Sequence, residues 1–131
     1  MNKLFLVFAA IAGGIAVILG ALVTHQLRQR MPENALEVFE TGVRYQFYHV
    51  FALLATGILS ERFPGKWMNR AGSCFIGGTL LFSGSLYMIS SLLSVGTSIP
   101  MSLGVLTPIG GSLFILGWIF FSVAILKGRS S

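Results

Sequence analysis

Three polar side chains able to do acid–base or hydrogen-bonding chemistry, Tyr45, Gln46 and His49, lie at the start of an uncharged apolar stretch. Their spacing predicts that they share a helix face, with Gln46 about one turn from His49. A histidine is costly to bury in an apolar environment, and an ionisable group there is a candidate functional residue. Other apolar stretches and their boundaries carry the remaining members of this candidate polar cluster, which are His25, Ser83, Tyr87 and Thr107.

Several chemistries can be set aside from the sequence. It contains no GxSxG, HExxH or Walker-type motif, and the acidic residues Glu33, Glu37, Glu40 and Glu61 all lie outside the apolar stretches. A haem held by both histidines is not expected, because His25 lies at the end of its stretch, about 10 Å in depth from His49. We therefore predict a protein that is not an enzyme and has no catalytic residues, cofactor or metal site.

The apolar stretches that must position the polar groups dominate the chain. Hydrophobic residues make up 54% of it and charged residues only 10%, against roughly 25% charged in soluble proteins. Crossing a bilayer takes about 20 apolar residues in a helix. The sequence predicts an all-α integral membrane protein, one domain over residues 1–131, with four transmembrane helices in a bundle. The spans are expected at about residues 4–24, 43–60, 71–93 and 105–126.

The polar stretch between the first two spans has a helical pattern of its own. Leu36, Phe39 and Val43 recur at helical spacing, and charged residues occupy the other face. This pattern predicts a short amphipathic helix at the membrane surface, between helices 1 and 2. We expect it to run on into the second span, with a bend at Gly42.

Basic residues predict the orientation. Four spans place both termini on one side, which receives Lys3, Arg62, Lys66, Arg70, Lys127 and Arg129. Cytoplasmic loops of membrane proteins carry an excess of lysine and arginine. We therefore predict a multi-pass protein of the cytoplasmic (inner) membrane with both termini cytoplasmic. The formal net charge of +5 is scattered between apolar runs, so no nucleic-acid partner is predicted.

Depth estimates place the polar groups together. At 1.5 Å per residue, His49 and Ser83 both lie about 18 Å from the cytoplasmic ends of their helices, so the two could meet. The cluster is therefore expected in the outer half of the bundle. It has two interpretations: hydrogen bonds that hold helices together, or a binding site for a small solute or ion.

Three motifs give the chain a family resemblance. These are TGVRYQFYH (Thr41–His49), LFSGSLY (Leu81–Tyr87) and LGVLTPIGGSLFILGW (Leu103–Trp118). In this order they resemble the small bacterial membrane proteins of Domain of Unknown Function family 423, which has eukaryotic relatives. Members usually carry a segment like GAFGAHGL at the end of the first span; here Gly20, Ala21, His25 and Leu27 match it, while Val23, Thr24 and Gln26 replace small residues.

The resemblance implies four membrane helices and no known activity. It also places His25, Gln46, His49, Ser83, Tyr87, Thr107 and Pro108 inside family motifs. Our leading hypothesis is a non-enzymatic protein acting through membrane lipids, a membrane-protein partner or its own oligomer, because 16 glycines offer much close-packing surface. The alternative is binding or transport of a small solute or ion around His49.

Overall fold

The computed structural model describes residues 1–128, and every regular element within them is a helix. A one-turn 3₁₀-helix, Leu27–Gln29, follows the first long helix. The four long helices are α1 (Lys3–His25), α2 (Glu33–Leu59), α3 (Lys66–Ser94) and α4 (Met101–Lys127). Arg129, which contributed to the orientation prediction, lies outside the described residues.

The ends of the helices follow from local sequence. The Asn2 side chain accepts a hydrogen bond from the Phe5 amide, 3.2 Å away, and so caps α1. Pro32 and Pro100 immediately precede α2 and α4, where their fixed φ suits a helix start. Gly65 precedes α3 with a φ of 133° that other residues rarely adopt.

Three helices, α1, α3 and α4, are long and apolar enough to cross a membrane by length and composition. Helix α2 is not among them, although its 27 residues equal the length of α4. Its first half carries charged residues, and Gln46 and His49 follow within its second half. The polar side chains lower the mean hydropathy of α2, while its length is sufficient for a span.

The amphipathic stretch predicted between the first two spans runs on, as expected, into the residues of the second predicted span, so the two form one helix, α2. The helix runs from Glu33 to Leu59 and continues through Gly42. The apolar side chains of Leu36, Phe39 and Val43 are buried together with Val23 of α1. The protein itself therefore covers the apolar face that the sequence suggested for a membrane surface.

Small residues let the helices approach closely. Ala9 and Ala16 of α1 are fully buried, and a Cβ on Gly13, on the same helix, would lie 3.3 Å from the Val50 side chain of α2. The main core draws side chains from all four long helices: Phe5, Ala9, Ala12, Val50, Ala52, Leu53, Ala71, Phe75 and Phe114. The small-residue face of α1 is thus used inside the bundle.

Helix α3 contains a π-helical segment, Thr79–Ser83, that the sequence analysis did not predict. Gly78 and Gly84 flank it. Gly110 of α4 lies against its backbone, and a Cβ there would come within 2.8 Å of the Phe82 Cα. Such wide turns often occur near functional sites. This one brings the α3 backbone directly against α4.

Candidate functional site

His49 is buried, with 5% of its surface exposed, and both of its ring nitrogens are hydrogen-bonded. Nδ1 lies 2.8 Å from the Tyr45 carbonyl oxygen, one turn earlier in α2. The indole Nε1 of Trp118 in α4 donates to His49 Nε2 across 3.1 Å. These two bonds tie the imidazole to its own helix and to α4.

The two partners define the form of the imidazole. A carbonyl oxygen can only accept, so Nδ1 carries the proton that it donates to Tyr45. An indole N–H can only donate, so Nε2 presents its lone pair to Trp118. His49 is therefore neutral, and Nε2 can bind another group only if Trp118 moves away. The arrangement suits a structural or ligand-contacting histidine better than a free proton carrier.

Aromatic rings surround the imidazole. Its ring is parallel to that of Phe114, with 3.5 Å between centroids and 7° between planes. Tyr45 lies on a second side at 6.3 Å, while Phe75 and Trp118 approach at 5.7 and 5.9 Å. Phe82, from the π segment, packs on Tyr45 at 4.9 Å. A polar group is thus held inside an aromatic cage.

An open groove of about 650 Å³ lies beside this cage, between α2, α3 and α4. We call it the His49 groove. Ligand pockets of this size are usually lined by apolar and aromatic side chains with a few polar groups. The lining here is of that kind: Tyr45, Tyr48, His49, Phe82, Pro108, Gly111, Ser112, Phe114, Ile115 and Trp118.

Gln46 and Tyr87 belong to a different contact. Gln46 Nε2 donates to the Ala12 carbonyl of α1 across 2.7 Å, and its Oε1 accepts from the Tyr87 hydroxyl of α3. Residues three apart on a helix differ by about 60° in direction. That angle turns Gln46 towards α1 while His49 faces α4. Gln46 and Tyr87 line a smaller groove of about 280 Å³ beside α1.

Ser83 does not hydrogen-bond to His49, although the depth estimate allowed the two to meet. Its hydroxyl donates to the Gly42 carbonyl, 2.7 Å away. Ser90, about two turns further along α3, donates in the same way to the Ala35 carbonyl at 2.7 Å. Both serines are buried. They therefore join α3 to α2.

Thr107 and His25 also lie apart from His49. Thr107 shares a hydrogen bond with Ser85 of α3, with 2.6 Å between the oxygens. His25 is exposed at the end of α1, where Nδ1 contacts the Ala21 carbonyl at 3.0 Å. Within residues 1–128, no three histidine, cysteine or acidic side chains gather as metal ligands would. The seven predicted residues thus form several separate contacts.

Four residues of the cage were not singled out from the sequence: Phe75, Phe82, Phe114 and Trp118. A tryptophan in the middle of an apolar stretch is a usable signal, because its N–H needs an acceptor where water is absent. Trp118 is 44% exposed at the surface of the bundle, and its N–H donates to His49 Nε2. Phe114 carries no polar atom, and only the packing of α4 on α2 identifies it.

Comparisons with known proteins agree on the kind of molecule. Residues 19–111 match the family described as "Protein of unknown function (DUF423)". The "UPF0382 membrane protein YwdK" of Bacillus subtilis is 39% identical, with 95% of this chain and 98% of YwdK covered. The "UPF0382 inner membrane protein YgdD" of Escherichia coli is 33% identical, covering 96% of this chain and 92% of YgdD.

A Haemophilus influenzae "UPF0382 membrane protein" is 35% identical over 99% of both chains. No solved structure matches this chain. The match to the family spans the motifs in α2 and α3 and ends at Gly111 in α4, so it includes His49 and the cage residues Tyr45, Phe75 and Phe82. The chain therefore belongs to the DUF423 family of membrane proteins.

Proposed function

We propose that the protein is a non-enzymatic, four-span membrane protein that acts by binding an apolar molecule of the bilayer in the His49 groove. Helix α2 would be the fourth span. The observation that carries the proposal is the groove itself, an open cavity with aromatic walls and one buried imidazole. A hydrocarbon chain is the occupant whose chemistry fits those walls.

The position of the groove along α4 supports an occupant from the bilayer. At a rise of about 1.5 Å per residue, Pro108 lies about 10 Å from one end of α4 and Trp118 about 14 Å from the other. The groove thus lies at the depth of the lipid chains when α4 crosses a core about 30 Å thick. Three of its lining residues, Tyr48, Ile115 and Trp118, are exposed on the flanks of their helices, so lipid chains would reach the groove from the side of the bundle.

The interior polar groups favour this function over transport of a small solute or ion. In the described part of the chain, no buried side-chain nitrogen or oxygen lacks a hydrogen-bond partner. Gln46, Ser83 and Ser90 use their bonds to join helices. A transport path needs polar groups that are available to the solute, so these bonds argue for a structural role.

Self-association has weaker support. The large number of glycines suggested it, yet several of these glycines already lie against other parts of the same protein: Gly42, Gly57, Gly72, Gly78, Gly110 and Gly117. A Cβ on Gly14, Gly84 or Gly104 would meet nothing within 4 Å. Most of the close-packing surface is therefore already used between the protein's own helices.

The test is native mass spectrometry of the protein gently released from its own membrane. We expect the wild type to retain an apolar molecule, visible as a mass adduct. Gly111→Leu should reduce that adduct at least tenfold, because a Cβ at Gly111 meets only the Phe82 ring, at 3.7 Å, and a longer side chain would fill the groove. His49→Ala should weaken retention as well.

Gly104→Leu is the matched control. It makes the same change on the same helix, at an exposed position outside the groove, and should leave the adduct unchanged. Equal loss in both leucine variants would mean that detergent handling, and not the groove, governs retention. A wild type that carries no adduct would end the proposal.

A further inference from the structure

Three cationic side chains converge on one tryptophan at an end of the bundle remote from the His49 groove. Lys66 Nζ lies 5.3 Å from the centre of the Trp67 ring, Arg70 Cζ 5.0 Å and Lys127 Nζ 5.2 Å. Lys66 and Arg70 come from the first turns of α3, and Lys127 from the last turn of α4. We call this group the Trp67 cluster.

The cluster is not balanced by acidic groups. Glu61 is the acidic residue nearest in sequence, and its carboxylate lies 3.7 Å from the N-terminal amine. Within residues 1–128, none of the three cations of the Trp67 cluster forms an ion pair. Since each lies within 5.3 Å of the same ring, any two are at most about twice that distance apart. Three like charges held so close favour an anion between them.

The position of the ring points to the membrane interface. Trp67 packs on Phe120 of α4, with 5.7 Å between centroids. Its ring is half-buried, while the three cations are exposed. Tryptophan is enriched where the hydrocarbon core meets the headgroups. The cations thus lie at the level of lipid phosphates.

We propose that the Trp67 cluster binds the headgroup phosphate of an anionic glycerophospholipid. Arg70 offers a planar fork of donors that suits phosphate oxygens, and the two lysines add positive charge beside the same ring. Basic pockets between helices are a known setting for such headgroups. The inference concerns a different surface from the His49 groove and does not depend on what occupies that groove.

Native mass spectrometry with added lipid tests the inference. The probes are phosphatidylglycerol and phosphatidylcholine with identical acyl chains, added to delipidated full-length protein. The wild type should prefer phosphatidylglycerol. The double variant Arg70→Gln/Lys127→Gln should bind it roughly 20- to 30-fold more weakly, at about fivefold for each cation removed. Both proteins should elute as single folded species, since the changed side chains are exposed.

The matched control is Lys3→Gln/Arg62→Gln, which removes two exposed cations near the same end but away from Trp67. It should keep the wild-type preference. Equal loss in the two double variants would reduce the effect to overall charge and overturn the inference. So would a wild type that binds both lipids alike.

A measurement of Trp67 fluorescence, in protein that keeps all three cations of the cluster, gives an independent check. In Trp118→Phe protein, Trp67 is the remaining tryptophan. Phosphatidylglycerol brominated near its headgroup should quench Trp67 emission more than the same fraction of brominated phosphatidylcholine. Addition of inorganic phosphate separates the two sources of a phosphate group. If millimolar phosphate abolishes the difference in quenching, the site takes free phosphate and the lipid assignment is wrong.

Discussion

At the scale of single residues, Gln46 joins three helices through one amide. Its nitrogen donates to the Ala12 carbonyl of α1, and its oxygen accepts from the Tyr87 hydroxyl of α3. The side chain is 4% exposed, so no water replaces a lost bond. Interhelical hydrogen bonds in membranes contribute modestly, about 0.6 kcal/mol on average and up to about 1.7. A residue that makes two of them matters accordingly.

Gln46→Leu should lower the free energy of unfolding by about 1 to 2 kcal/mol. Leucine keeps the volume but leaves the Tyr87 hydroxyl without its acceptor. Tyr87→Phe should lose about half as much, because the bond from Gln46 to Ala12 remains. Equilibrium unfolding in mixed micelles measures both changes.

Ser91→Ala provides the comparison for these variants. Ser91 is exposed and bonds only to the Tyr87 carbonyl of its own helix, so its loss should change the unfolding free energy by less than about 0.5 kcal/mol. If Gln46→Leu were as mild as Ser91→Ala, the amide would not hold the helices together.

At the scale of elements, the close contact between α3 and α4 depends on glycines, which have no side chain to keep the two backbones apart. Gly78 of α3 faces Phe114 of α4, while Gly110 faces the backbone at Phe82 in the π segment. Small residues allow helix backbones to approach closely in membranes. This approach brings Phe114 and Trp118 onto His49, so the aromatic cage depends on these glycines.

Gly110→Ala should destabilise the protein by about 2 to 4 kcal/mol, because the new methyl group meets backbone atoms that cannot rotate away. The Phe82 Cα would lie 2.8 Å from the added Cβ. Thermal unfolding in detergent reports the loss, and Trp118 emission should shift as the cage opens.

Gly104→Ala is the counterpart on the same helix. A Cβ there meets nothing within 4 Å, and alanine favours a helix over glycine by about 0.5 to 1 kcal/mol. This variant should be neutral or slightly more stable than the wild type. Similar destabilisation by both substitutions would contradict the close approach at Gly110.

At the scale of the whole molecule, charge divides the two ends of the bundle. The end formed by the start of α3 and the end of α4 carries the Trp67 cluster. At the other end, Arg28 of the 3₁₀-helix forms an ion pair with Glu40 of α2 at 3.0 Å. The two charges of this pair cancel. The asymmetry favours an orientation with the Trp67 cluster in the cytoplasm.

Cysteine labelling of intact cells tests that orientation. In a Cys74→Ser background, single cysteines at Asn2 and Arg62 should resist a membrane-impermeant thiol reagent, while one at Asn34 or Thr97 should react. This pattern requires α2 to cross the membrane as the fourth span. Labelling at Asn2 from outside would reverse the orientation, and labelling of Arg62 and Asn34 alike would remove α2 from the spans.

The amino-acid sequence alone determined the helical class, the membrane environment and the family. Long uncharged stretches have no stable alternative in a bilayer, where every backbone group must be bonded within a helix or barrel. These properties depend on residues close together in the chain, which explains why they could be read from it.

Only the tertiary structure decided how the polar residues are grouped. The sequence placed Gln46 and His49 on one helix face, yet a difference in direction of about 60° sends them to different neighbours. The π segment then sets the direction of Ser83, which meets Gly42. Trp118 reaches His49 from 69 positions away. Such pairings depend on how helices pack, and packing brings together residues that no local spacing relates.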